Sequence, residues 1–375
     1  MLSIRKRKGD AMPLLSVKDL TVTIKSERGK VYAVNAISFD LDQGEVVAIV
    51  GESGCGKSVT ALALTNLLPK PAARIEKGSI RFDGTDIATL SDAAMQELRG
   101  GDISIIFQDP MTSLNPVLTI GEQLSEAVTR TDERADRAVV RRKAAELLDM
   151  VGIAGGEAML RAYPHQISGG MRQRVMIAMA LALKPRLLIA DEPTTGLDVT
   201  VEAQILDLMM GLVSDMKTSM LLITHDLGVV AGTAQRVVVM YSGMIVEMVT
   251  TDDLFAAPSH PYTIGLLRAS PRIDGEQENA LVPIDGVPPN QLLPLQGCPF
   301  APRCRWRRPI CWREVPTSGA WTSAAGTMHV AACHNRPTPA EAAAGMPLDP
   351  SFTAAPPPDG LSSPDIVLFE RREVA

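Results

Sequence analysis

An α/β fold built on a buried parallel sheet is predicted by three observations. First, the unbroken apolar run Val46-Val47-Ala48-Ile49-Val50 leads directly into Gly51-Glu52-Ser53-Gly54-Cys55-Gly56-Lys57-Ser58, a complete G-x-x-x-x-G-K-S phosphate loop. Second, two further apolar runs, residues 187–190 and 220–224, are each paired with an amphipathic stretch, the pattern of parallel strands covered by helices. Third, the segment before the loop, residues 14–48, alternates apolar and polar in short runs, so an antiparallel β portion precedes the parallel one.

Residues 15–24 and 31–39 flank Ser26-Glu27-Arg28-Gly29 and predict an opening hairpin. After the phosphate loop a helix is expected from Gly56 to about Leu68, stopped by Pro69. Ser79 to Phe82 followed by Asp83-Gly84 predicts a second hairpin, and residues 104–108 another buried strand. From about Glu122 to Tyr163 the chain turns charged and helical around Ala144, Leu147, Leu148 and Val151, which predicts an inserted helical subdomain within about residues 110–180. Residues 237–241 and 245–249, split by Ser242-Gly243, predict a closing hairpin. Past about Pro271 the composition shifts to Pro, Arg, Trp and Cys, and from about Pro337 to Ala, Pro and Asp, where a disordered tail is expected. The expected division is a basic tail (1–13), a nucleotide-binding core (14–270), a Cys-rich extension (271–340) and a disordered tail (341–375). There is no internal repeat.

The 375 residues carry a net charge of −6, so the chain as a whole does not suit a polyanion, and Arg5-Lys6-Arg7-Lys8 reads as a solvated tail. No run approaches the roughly 18–20 apolar residues of a membrane-spanning helix. The charged start is not followed by the apolar stretch of a signal peptide. A cytoplasmic chain is expected, with membrane association supplied by a partner.

The loop sets the first chemistry. Its glycines let successive backbone N–H groups point at a polyphosphate, Lys57 reaches the β- and γ-phosphates, and Ser58 offers a hydroxyl to Mg²⁺ at a helix N-terminus. Gly51, Ser53, Gly54, Cys55, Gly56, Lys57, Ser58 and Val59 are the expected contacts to ATP or GTP; Cys55 brings only a small side chain. The run at 187–190 ends in Asp191-Glu192. Asp191 is suited to hold Mg²⁺ through water, and Glu192 to orient or deprotonate the water that attacks the γ-phosphate. Ile167-Ser168-Gly169-Gly170-Met171-Arg172-Gln173-Arg174 puts Ser-Gly-Gly at the opening of a long helix, a second anion cradle in one chain.

The spacing from Ser168-Gly169-Gly170 to Asp191-Glu192, with Pro185 between them, resembles the signature and Walker B arrangement of ABC-transporter ATPases. The resemblance covers about residues 14–270, with Ile167 standing where many relatives carry Leu. It implies a P-loop ABC ATPase core with an N-terminal antiparallel β subdomain and an inserted helical subdomain. It also implies that Tyr32 stacks on adenine and that Gln108, before Asp109-Pro110, touches Mg²⁺ and relays to the membrane subunit. Gly196-Leu197-Asp198 matches the D-loop, and His225, after Thr224, the switch histidine near the γ-phosphate. The implied catalytic set is Glu192, His225 and Gln108, with Mg²⁺ held by Ser58, Gln108 and Asp191. In the family the signature covers ATP held by another subunit, so Ser168 and Gly170 are expected to act in trans, with Gly169 between them a further expected nucleotide contact.

Four of the five cysteines fall in one stretch, Cys298-x₅-Cys304-x₆-Cys311-x₂₁-Cys333, together with all three tryptophans. In a cytosolic chain this favours metal ligation over disulfides, although no paired C-x₂-C of a zinc ribbon is present; a cluster, zinc and free thiols all stay open. His260-Pro261-Tyr262-Thr263, Gly297-Cys298-Pro299-Phe300-Ala301-Pro302-Arg303-Cys304, Cys311 and Cys333-His334 resemble the C-terminal extension of ATPases serving dipeptide, oligopeptide and nickel importers. That resemblance implies a 4Fe-4S cluster on Cys298, Cys304, Cys311 and Cys333. Arg303, Arg305, Arg307, Arg308 and Arg313 are then expected to balance the charge of the cluster rather than to bind nucleic acid.

The reading is an ATP-hydrolysing subunit of a bacterial importer for dipeptides or oligopeptides, peripheral on the cytoplasmic face of the inner membrane. Its expected partners are a second ABC ATPase subunit, like or unlike itself, two permease subunits and an extracytoplasmic binding protein. Alternatives are an importer ATPase for nickel or another small solute, and a soluble ABC ATPase outside transport.

Overall fold

The computed structural model of the chain describes residues 12–27, 29–99, 101–109, 113–130, 136–270, 282–289, 296–323 and 326–344. Its strands form two sheets. One is antiparallel, built from β1 (Leu15–Ser26), β2 (Gly29–Leu41), β4 (Ala73–Phe82) and β5 (Thr85–Asp86) in the order β2-β1-β4-β5. The other contains β3 (Val46–Val50), β6 (Ile103–Ile106), β7 (Leu187–Asp191), β8 (Ser219–Thr224), β9 (Arg236–Tyr241), β10 (Met244–Thr250), β11 (Gly319–Thr322) and β12 (Met328–Ala331). Its order is β11-β12-β10-β9-β3-β8-β7-β6, parallel from β9 through β6 and antiparallel beyond β9.

The apolar runs are continuous because these strands face two cores at once. In β3, Val46, Ala48 and Val50 belong to the core under the helices, whereas Val47 and Ile49 belong to the core against the antiparallel sheet. In β8, Met220 and Leu222 take the first side, Leu221 and Ile223 the second. Every residue of β3, β7 and β8 is buried, as two-sided strands require. A one-residue slip of register would exchange the two sets, so the pairing is strongly specified.

Among the described residues the α-helices include α1 (Lys57–Leu64), α2 (Asp92–Arg99), α3 (Ile120–Thr129), α4 (Arg137–Met150), α5 (Gly156–Leu160), α6 (Gly169–Leu181), α7 (Val199–Met216), α8 (Leu227–Thr233), α9 (Thr251–Ala256), α10 (Pro261–Ala269) and α11 (Pro339–Ala344). Helices α3 to α5 form the expected helical insertion. A Thr119–Glu122 capping box starts α3, and Ala144 and Leu148 of α4 join the core beside Val175 and Ile177 of α6.

Both later hairpins form at their expected turns, with left-handed φ at Asp83 (49°) and Gly84 (81°), and at Ser242 (49°) and Gly243 (77°). The opening hairpin forms as well, although Arg28 of its turn lies outside the described residues. Helix α1 is shorter than expected, ending at Leu64 rather than near Leu68. The Thr65 hydroxyl donates to Ala61 O, and Asn66 takes a left-handed φ of 52°, which ends the helix before Pro69.

The Cys-rich extension continues the main sheet at its edge. Strand β12 pairs with β10, setting Ala331 opposite Glu247 and Val330 opposite Met248, and β11 pairs with β12. The tail expected to be disordered from about Pro337 begins with a helix instead. Thr338 and Glu341 cap α11 reciprocally, each side chain accepting the other's backbone N–H. The rest of that tail and the basic stretch at Arg5-Lys6-Arg7-Lys8 lie outside the described residues. Among the described residues no helix is long and apolar enough to cross a membrane.

Candidate nucleotide site

The phosphate loop joins β3 to α1, so its backbone N–H groups crown a helix N-terminus. Gly56, which opens α1, has a φ of 107°, and a Cβ there would lie 2.3 Å from Ala33 O. A Cβ on Gly51 would lie 2.2 Å from Met240 O. Only glycine fits at either position. The Lys57 side chain is buried and folds back over the loop, donating from Nζ to Gly51 O (2.7 Å) and Glu52 O (3.2 Å).

The carboxylates come from the end of β7. Ser58 Oγ donates to Asp191 Oδ1 at 3.1 Å, which sets two hard oxygen donors side by side. Burial pushes the Asp191 carboxyl above its usual range, the hydrogen bond from Ser58 opposes this, and the neighbouring Glu192 charge adds to it. Glu192 is the first residue past the strand and has a left-handed φ of 46°, a strained state for a non-glycine residue. Its N–H donates to Ile223 O of β8, while its carboxylate accepts from Gln108 Nε2 (2.8 Å) and Thr195 Oγ1 (3.0 Å). Lys57 Nζ at 3.9 Å and His225 Nδ1 at 3.4 Å complete the ring around Glu192.

Gln108 follows β6, Asp191 and Glu192 end β7, His225 follows β8 and the loop follows β3, so all stand at the C-terminal edge of the parallel strands. Ligands of open α/β sheets bind at that edge. Strand β6 stops at Ile106 rather than at Gln108, which leaves the glutamine on the exposed loop where it reaches Glu192.

A second cluster holds the remaining polar candidates. Ser168 caps α6, its Oγ accepting from Met171 N at 3.3 Å, and Asp198 caps α7, accepting from Val201 N at 3.0 Å. A Cβ on Gly169 would meet Leu197 at 3.7 Å, and one on Gly170 would meet Val201 Cγ1 at 2.8 Å. Gly169 and Gly170 therefore pack on the Asp198 segment. Tyr32 sits apart on β2, paired with Thr23 of β1, with Lys30 Nζ 5.2 Å from its ring centre.

One part of the site was absent from the sequence expectations. Glu52, the second residue of the loop, is clasped by Arg303 of the extension, Nη1 to Oε2 at 2.6 Å and Nη2 to Oε1 at 2.9 Å, while its N–H donates to Tyr262 OH at 2.8 Å. Arg303 thus pairs with a carboxylate of the loop, and Arg305 with Asp285, rather than both being reserved for a cluster's charge. No local signal in the sequence joins residues 251 positions apart.

Residues 34–195 match the family model for ABC transporters, and residues 246–311 match that for the oligopeptide/dipeptide transporter C-terminal region. The oligopeptide transport ATP-binding protein OppD of Bacillus subtilis (strain 168) is 52% identical over 272 residues, 72% of this chain and 76% of that protein. The dipeptide transport ATP-binding protein DppD of the same organism is 52% identical over 303 residues, 81% of this chain and 90% of that protein.

This chain belongs to the ATP-binding subunits of the oligopeptide/dipeptide ABC-transporter family. A dimeric, post-hydrolysis ATP-binding cassette solved with ADP and Pi shares its fold, at a TM-score of 0.57 and 28% identity over 63% of this chain and 98% of that one. The chain is an ABC ATPase, and its core has the α/β architecture expected of one.

In this ATPase the four late cysteines converge. Cys298 N donates to Cys311 O at 2.8 Å, and Cys298, Cys304 and Cys333 each lie within electrostatic reach of other thiols of the set. Burial pushes the Cys298 thiol up to about 12 and Cys333 to about 11, and raises Cys304 as well. Backbone N–H groups of Arg308 and Asn335 donate to the sulfurs of Cys311 (3.4 Å) and Cys333 (3.3 Å). Among the described residues, no three His, Cys, Asp or Glu side chains are grouped as a single metal ion would require.

Proposed function

We propose that this ATPase powers the import of dipeptides or oligopeptides as a peripheral subunit on the cytoplasmic face of the bacterial inner membrane. The observation that carries the reading is the 52% identity to oligopeptide and dipeptide transport ATP-binding proteins, together with the matched C-terminal region. Its partners in this reading are a second ABC ATPase, two permease subunits and an extracytoplasmic binding protein. The helical insertion and the Gln108 loop are the docking elements toward the permeases.

Glu192 is the general base for water, polarised by its near neighbours, and His225 and Gln108 report the γ-phosphate to it. Lys57 and the loop N–H groups bind the phosphates, and Tyr32 stacks on the base. Ser168, Gly169, Gly170 and Asp198 complete the nucleotide site of a partner subunit. The donor set of Ser58, Asp191 and Gln108 suits Mg²⁺, because hydroxyl, carboxylate and amide oxygens are hard ligands. The ion would neutralise phosphate charge and favour the ionised form of Asp191.

Cys298, Cys304, Cys311 and Cys333 are the ligands of a 4Fe-4S cluster in this reading. A lone zinc ion needs its sulfurs about 2.3 Å from one point, and the four thiols are not grouped so tightly. A polynuclear cluster has no such requirement, and the two N–H···S contacts are of the kind that tune one. Cys304→Ser should remove a broad visible absorbance from anaerobically purified protein, and an unchanged spectrum would exclude that ligand.

The transport reading is tested by uptake of labelled di- and oligopeptides, with nickel in parallel, in cells carrying the parental chain or Glu192→Gln. Peptide uptake is expected to fail in the variant alone. Intact peptide uptake alongside failed nickel uptake would overturn the substrate assignment while leaving the ATPase in place.

A further inference from the structure

The phosphate loop of this ATPase carries a carboxylate where an anion must bind. Glu52 directly follows Gly51, and a negative charge beside a polyphosphate cradle opposes the ligand. Arg303 counters it from the Cys-rich extension. Its guanidinium, 3% exposed, makes the two-pronged bridge to Glu52, a geometry that a lysine does not reproduce.

The fork is held rigidly. Its Nε donates to Asp285 O (2.9 Å), Nη2 to Ile284 O (3.1 Å) and Nη1 to Tyr241 OH (3.3 Å). Glu52 is fixed from its other sides as well. Its N–H is taken by Tyr262 OH and its carbonyl accepts from Lys57 Nζ, so the residue is pinned at amide, carbonyl and side chain. Tyr262 packs in turn in a buried cluster, tilted against Tyr241 (4.5 Å between ring centres) and edge-on to Phe300 (5.5 Å). Phe300 and Arg303 bracket one short 3₁₀ turn of the extension.

We propose that Arg303 is a positioning residue for nucleotide binding: it neutralises Glu52 and holds the first turn of the phosphate loop in its phosphate-accepting shape, so the extension sets the affinity for ATP. The inference rests on the reading of residues 51–58 as the ATP site. A plain structural tie between extension and core would use the same contacts but would leave affinity unaltered once the protein is folded.

The test is equilibrium binding of Mg-ATP to the full-length chain, with thermal melting of each variant measured in parallel. Arg303→Gln should weaken binding about tenfold, because it leaves a bare carboxylate at the loop. Rising salt should shrink that loss by screening the exposed charge. The double variant Arg303→Gln with Glu52→Gln should recover to within about threefold of Glu52→Gln alone, since the uncompensated charge is gone. Arg303→Lys, which keeps the charge and loses the fork, should fall between parent and Arg303→Gln.

Parental affinity in Arg303→Gln, or an equal loss in the single and double variants that follows their melting temperatures, would overturn the proposal in favour of a structural tie. If Arg303→Gln does not fold, the comparison of Arg303→Lys with the double variant decides in the same way. Lys57→Ala separates the two readings: parental ATP affinity in that variant would remove the ATP site itself, whatever Arg303 does.

Discussion

At the scale of single residues, the site turns on Glu192. A left-handed φ at a glutamate is uphill, and here it turns the carboxylate between the Gln108 amide, the Thr195 hydroxyl and the His225 ring. Replacing it with glutamine keeps size and shape but removes the basicity that the proposed role requires. Steady-state hydrolysis should drop roughly 10²- to 10⁴-fold with ATP affinity retained, the signature of a lost general base. A parental turnover rate in Glu192→Gln would take the base role from this residue. Gly56→Ala should fail earlier, at binding, because a methyl group there is driven against Ala33 O in a backbone state that favours glycine. Titration with ATP distinguishes the two variants. Most of these residues were legible in the sequence because each lies within a short contiguous motif whose chemistry is local. The Glu52–Arg303 bridge was not, since it joins a loop residue to a turn 251 positions later and has meaning only after the extension has docked.

At the scale of elements, the buried strands announced themselves because two cores demand apolar residues on both faces, and turns such as Asp83-Gly84 carry their own stereochemistry. The strands of the extension gave no such signal. In β11 three of four residues are exposed, and pairing with β12 rather than an apolar run makes it a strand. Helix α10 shows how an element can hide a pH response. His260 caps it, Nδ1 accepting from Tyr262 N at 3.1 Å, in a fully buried position. Burial is the largest influence on the ring and the nearby Glu247 opposes it, leaving a folded-state value of about 4 against an ordinary 6.5. Above pH 6.5 both folded and unfolded chains hold a neutral ring and the stability is fully present. Between 6.5 and about 4 the unfolded chain takes up a proton that the fold refuses, and stability falls with pH by roughly 3 kcal/mol over that window. Protonation at Nδ1 would also remove the cap. Melting temperature followed from pH 7 to 5 should therefore decline in the parent and decline less in His260→Asn, which retains capping capacity. Parallel curves would assign the decline to other groups.

At the scale of the whole molecule, the decisive feature is that the sheet does not end where the ATPase core was expected to end. A boundary near residue 270 leaves β12 on one side and its partner β10 on the other. Glu247 of β10 has no exposed surface, its carboxylate accepting from Ser259 N (2.7 Å) and His260 N (2.9 Å) and lying 2.6 Å from His329 Nε2 of β12. Phe300 fills the same core against Tyr241 and Tyr262. A chain cut after residue 270 would lose Phe300, His329 and the Arg303 clasp together, uncovering an apolar face and leaving a carboxylate short of its partner. Leaving a buried hydrogen-bonding group without its partner costs about 1–3 kcal/mol, and the lost packing adds to it, against the roughly 5–15 kcal/mol by which a domain is stable. The cut chain should accordingly melt well below the full chain, and His329→Ala alone should reproduce part of that loss. The Glu247→Gln, His329→Ala pair should lose less than the sum of its single changes, because each removes the group that the other leaves stranded. A cut chain that melts with the full-length protein and binds ATP equally well would mean that the extension is an appendage. The shared sheet and the buried carboxylate predict instead that core and extension unfold as one cooperative unit, seen as a single transition by both intrinsic fluorescence from the tryptophans of the extension and loss of bound nucleotide.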